Sequence, residues 1–111
     1  MALGTLTKVT VTAGVAVRLT ETSTKVSTFC IQPLAGNGAY VGANTGKTFI
    51  GISTVDDTGT TGIQLGWPVA GQTPPAFSLS SGSNNNLFDL RDIYIATSVG
   101  GEGVVCLYHT V

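Results

Sequence analysis

The chain has 111 residues and a formal net charge of -1, and only 10% of its residues are charged, against about 25% in an average soluble protein. That length supports one core, burying roughly 60–70% of the surface that the unfolded chain exposes, and excludes two. Lys8, Arg18, Lys25, Lys47 and Arg91 are scattered singly, so no basic stripe exists for a nucleic acid, and no apolar run approaches the ~18–20 residues that span a bilayer.

In chain order, Met1 to Thr12 lacks the basic start and apolar run of a secretory signal, which reads as a protein made in the cytosol. Ala2, Leu3 and Leu6 are apolar without clear alternation, and residues 1–6 are expected to form an N-terminal arm available for contact. Val9 and Val11 alternate with Thr10 and Thr12, and Val15, Val17 and Leu19 with Ala16, Arg18 and Thr20. This period of two predicts half-buried strands. It recurs at Phe29 and Ile31, at Phe77 and Leu79, and at Ile93 and Ile95.

Turn signals separate these runs at Ala13-Gly14, Gly36-Asn37-Gly38, Asn44-Thr45-Gly46, Asp56 to Gly59, Ser81 to Asn86 and Ser98 to Gly103. Asn37-Gly38 suits a type I′ turn and predicts a hairpin between Phe29–Leu34 and Ala39–Val41. Residues 66–75, with Trp67, Pro68, Pro74 and Pro75, break the rhythm and read as a long loop. Its lone Trp either caps one end of the core or forms an aromatic-proline contact surface. Val104 to Tyr108 is apolar without alternation, as expected of a strand covered on both faces.

No window carries apolar residues at helical spacing, and Thr, Val and Ile stand where helix formers would be needed. The expectation is one all-β domain over residues 1–111, a β-sandwich of jelly-roll type with antiparallel sheets and no helix beyond a turn or two. Its polarity comes from Thr, Ser, Asn and 15 Gly rather than from charge. An isolated domain keeps its neighbours away with a surface that is roughly 25–35% charged. This composition points instead to a surface partly covered by other subunits.

The stretches that look like chemistry are weak. Gly42 to Thr48 resembles a phosphate-binding loop but has three residues between its glycines where four are needed, and a strand-like Phe49-Ile50-Gly51-Ile52 follows it instead of a helix. Asp57-Thr58-Gly59-Thr60 resembles the catalytic loop of retroviral-type aspartic proteases, which are all-β homodimers sharing one proton between two carboxylates. Asp56 stands where those proteases carry an apolar residue, and Asp-Asp-Thr-Gly is a good turn in its own right. His109 is the only histidine, so a zinc site built on several His is excluded within one chain, and no Gly-x-Ser-x-Gly elbow accompanies it. Cys30 and Cys106 lie in separate apolar runs and read as buried free thiols, with a bridge between core strands as the alternative. No catalytic residue, cofactor or metal is expected.

Across nearly its whole length the chain resembles the small head decoration, or cement, proteins of tailed bacteriophages. The resemblance rests on Val9-Thr10-Val11-Thr12 leading into Val15 to Leu19, on Ile31-Gln32-Pro33-Leu34 before Asn37 to Gly42, on Gly62-Ile63-Gln64-Leu65, on Phe77-Ser78-Leu79, and on Asp89 to Ile95 before a Gly-rich turn and Val104 to Tyr108. It implies a virion protein that binds the major capsid protein on the assembled head, often as a homotrimer at three-fold positions, where avidity multiplies weak contacts. Expected contacts are Ala2, Leu3 and Leu6 of the arm and Trp67, Pro68, Pro74 and Pro75 of the loop. The alternative is a tail, baseplate or fibre component whose Trp67 loop meets a carbohydrate or receptor.

Overall fold

The first strand of the chain pairs with the last, and the pairing continues inward from both ends. In the computed structural model, which describes residues 2–34, 46–65, 76–82 and 87–110, nine strands are present: β1 (Ala2–Val9), β2 (Val17–Arg18), β3 (Lys25–Pro33), β4 (Thr48–Gly51), β5 (Gly62–Gln64), β6 (Phe77–Ser80), β7 (Phe88–Asp89), β8 (Tyr94–Thr97) and β9 (Gly103–Thr110). The pairs β1–β9, β2–β8, β3–β6 and β4–β5 are all antiparallel, so the chain forms one long hairpin. That hairpin then rolls up, because β9 also pairs with β3 and β8 with β4.

The result is two sheets, β1-β9-β3-β6 and β2-β8-β4-β5, with the two-residue β7 added to β3. This is the strand order of a jelly roll, a β-sandwich built from two Greek keys. The only helical turn among the described residues is a 3₁₀ turn, Leu90–Asp92. The all-β sandwich expected from the alternating runs is what the chain forms.

Alternation places one residue set of each strand between the sheets. Phe29 and Ile31 of β3, Val104 and Cys106 of β9, Ile50 of β4 and Ile95 of β8 meet there with Leu19, Val26, Leu65 and Leu90, all buried. Phe88 meets Phe29 edge-on at 5.9 Å between ring centroids. Each of these large side chains contributes about 1.5–3 kcal/mol by leaving water.

Asp89 ties the β7 end of the sandwich together. Its carboxylate accepts from the Ser23 hydroxyl, from the Thr24 N–H at 2.9 Å and from the Arg91 N–H at 3.0 Å, and Lys25 Nζ lies 3.6 Å away. The Ser23 hydroxyl and the two backbone donors hold its pKa far below the usual carboxylate range.

Four expectations need correction. Residues 2–6 are not an arm but most of β1, paired residue for residue with β9 from Ala2↔Thr110 to Val9↔Gly103. Leu3 and Leu6 are three apart and so fall on opposite faces of the strand, which is why its sequence shows no alternation. The strand expected at Val9 to Thr12 ends at Val9: Thr10 turns inward, its hydroxyl 2.6 Å from that of Thr97, and Val11 is 86% exposed.

The strand expected at Val15 to Leu19 is reduced to β2, although Leu19 remains tied to it by an N–H donated to the Ile93 carbonyl at 2.8 Å. The strand β9 is central in its sheet but is not covered on both faces, since Leu107 is 49% exposed. The expected hairpin partner Ala39–Val41 and the loop 66–75 lie outside the described residues.

Candidate functional site

Strand register decides which residues share a face of the first sheet. Residues directly opposed across a ladder point the same way, and the inward set is known from Phe29, Ile31, Val104 and Cys106. The outward set is therefore Leu3, Thr5, Thr7 and Val9 from β1, Val105, Leu107 and His109 from β9, Lys25, Thr28, Cys30 and Gln32 from β3, and Ser78 and Ser80 from β6. Lys25, at the β7 end of β3 with its Nζ 3.6 Å from Asp89, is the one Lys, Arg, Asp or Glu among them. The face is a field of hydroxyls interrupted by Leu3, which is 73% exposed, and Leu107.

The same register separates the two thiols. Cys30 is opposite Leu107 and points outward, while Cys106 is opposite Ile31 and points into the core. Two thiols on opposite faces of one sheet cannot bridge, and both are free. Burial, with a smaller contribution from Cys30, pushes the Cys106 pKa up to about 12, which leaves it protonated and unreactive.

At the β3 bulge between Val26 and Thr28, the Ser27 hydroxyl lies 3.4 Å from His109 Nδ1 and 3.4 Å from the His109 carbonyl. A Ser-His nucleophile normally has a hydrogen bond of about 2.6–3.2 Å and a third group that orients the base. Among the described residues no carboxylate holds the His109 ring.

The Asp57-Thr58-Gly59-Thr60 stretch sits in the β4–β5 connection. There Asp56 accepts from the Thr58 hydroxyl at 2.6 Å and the Thr58 N–H at 3.0 Å, and Gly59 adopts a positive φ of 82. The hydroxyl of Thr58 first, then its N–H, draws the Asp56 pKa down. This is a side-chain-closed turn, and the Asp57 carboxylate packs against Gly14. The phosphate-loop resemblance ends in the same way, because Thr48 already begins β4. No group of His, Cys, Asp or Glu among the described residues is arranged to hold a metal ion.

An open apolar groove of about 220 Å³ runs between the sheets at the β5–β6 side, walled by Phe29, Ile50, Ile63, Phe77, Leu79 and Ile93. It exists because β5 and β6 are short edge strands that leave Ile63 55% and Leu79 41% exposed.

Of the contact residues expected from sequence, Ala2, Leu3 and Leu6 fall in β1, with Leu3 on the charge-poor face and Leu6 turned toward the core. Trp67, Pro68, Pro74 and Pro75 lie outside the described residues. The alternation of Thr28, Cys30 and Gln32 with buried neighbours marks the outward set in the sequence, but nothing in it tells that Leu107 lies exposed beside them. Comparison with family models, with curated proteins and with solved structures found no match.

Proposed function

We propose that this chain is a structural protein of a bacteriophage virion that decorates the capsid, binding the assembled head and reinforcing contacts between major capsid subunits. The observation that carries the reading is the charge-poor outer face of the first sheet, which spans four strands, exposes Leu3 and Leu107 and carries only Lys25, beside Asp89, at one end. A monomer left in water has no use for so wide a charge-poor surface, whereas a subunit that works by packing does. The strand order adds support by analogy alone: jelly rolls recur in viral capsid domains, but they also host lectins and enzymes.

On this reading the protein acts without a cofactor or a catalytic step. Its partners are the major capsid protein and further copies of itself, not nucleic acid or membrane. It is made in the host cytoplasm and resides on the capsid surface. The resemblance implies three copies at each position. Copy number is separable from shell binding.

Co-sedimentation with empty shells of the cognate virus tests the reading. The expected result is saturable binding that changes little between low and high salt, because the single charge on the contact face, Lys25, already lies beside Asp89. Leu107→Lys should abolish that binding while leaving the protein folded. Failure to pellet with shells, or binding that weakens steeply with salt, would overturn the proposal.

A further inference from the structure

The edges of the two sheets are unequal. The edge strands β2, β5 and β6 are two, three and four residues long, while β1 runs for eight without a proline or a register shift. Short, broken edges are how proteins prevent strands from recruiting partners. β1 has only Lys8 as such a guard.

Its free side can be read from its paired side. The Thr10 N–H donates to the Glu102 carbonyl at 2.9 Å and the Gly101 N–H to the Thr10 carbonyl at 3.0 Å, so the even-numbered residues turn their backbone groups toward β9. Antiparallel ladders alternate. The N–H and C=O groups of Leu3, Thr5, Thr7 and Val9 therefore line the outer edge, where no described strand pairs with them.

We propose that two copies of this chain pair through β1, antiparallel about a two-fold axis, with Leu6 opposite Leu6 of the second copy. In this register Leu3 faces Val9 and Thr5 faces Thr7, so all four outward residues of each strand exchange backbone hydrogen bonds, about eight in all. The outer-face pairs are also matched in kind, Leu with Val and Thr with Thr, and Leu6 meets Leu6 on the inner face. Lys8 lies opposite Gly4, which has no side chain, and about 13 Å along the strand from its own copy. The alternative centred on Thr5 leaves Val9 unpaired at both ends.

The pair makes the two first sheets continuous, and it doubles the charge-poor face without covering it. It rests on strand geometry alone and holds or fails independently of shell binding.

The mass of the full chain in solution, by sedimentation equilibrium at high-micromolar concentration and without shells, is the test. The wild type should be a dimer. Thr5→Pro removes one outward N–H and none that faces β9, so it should yield a monomer with the circular dichroism of the wild type. If that variant fails to fold, charge substitutions decide. T5K/T7K sets like charges against each other at both outer pairs and should be monomeric; T5E/T7K sets opposite charges there and should remain dimeric. A monomeric or trimeric wild type, a dimer that survives Thr5→Pro, or equal masses for the two charge variants would overturn the proposal.

Discussion

The two outer faces of the sandwich are built from the same strand chemistry and treated in opposite ways. On the second sheet, Gly51 of β4 lies directly opposite Gly62 of β5, and this paired absence of side chains opens a slot. The β4–β5 connection folds back and drops Val55 into it, where Val55 joins Phe49 and Ala96 in a buried cluster flanked by Ala16 and Tyr94. The Arg18 guanidinium lies 5.1 Å from the centre of the Tyr94 ring and completes the cover. On the first sheet no described loop does the same for Leu3, Leu107 or the Thr and Ser side chains around them. A face that the chain covers with its own residues is spent on stability, and one that it leaves bare and poor in charge is available to another molecule.

Substitutions on the two faces should therefore differ in kind. The largest effect is expected from Phe49→Ala, which empties the centre of the covered cluster and should cost about 3–5 kcal/mol in urea unfolding. A loss below 1 kcal/mol would mean that the cluster is not a second core. Next comes Gly62→Ala: a Cβ there would stand 2.5 Å from Val55 Cγ2 and 2.8 Å from the Ile50 carbonyl oxygen. It should cost about 1–3 kcal/mol in urea unfolding by forcing Val55 from its slot, and an unchanged stability would mean that Val55 stays in place. The smallest effect belongs to the bare face, where Leu107→Thr should change stability by no more than about 0.5 kcal/mol. A larger loss would mean that Leu107 packs within the monomer and would blur the contrast between the faces.

The site was less legible than the fold, and β1 and β9 show why. The alternation of Phe29 with Ile31 and of Ile93 with Ile95 announces strands because each run buries one face on a core. β1 buries only Gly4, Leu6 and Lys8 in part, and Gly4 is there because a Cβ would collide with the Tyr108 ring. Such a strand exists because β9 pairs with it, and nothing local marks it. The apolar run Val104 to Tyr108 looks doubly buried, yet Leu107 lies on the bare face. Burial of a residue in the middle of a sheet depends on what lies over that face, which the run itself does not encode.

The sequence by itself determined the all-β class, the scarcity of charge and the turn at Asp56 to Gly59, since each follows from local preference or from composition. The tertiary structure alone decided that residues 2–6 belong to a strand, that Cys30 and Cys106 point to opposite sides, and that one face stays bare while the other is covered. These outcomes depend on the register between strands far apart in the chain. Side chains along a strand repeat every two residues, so a shift of one residue in any such pairing would exchange the two faces.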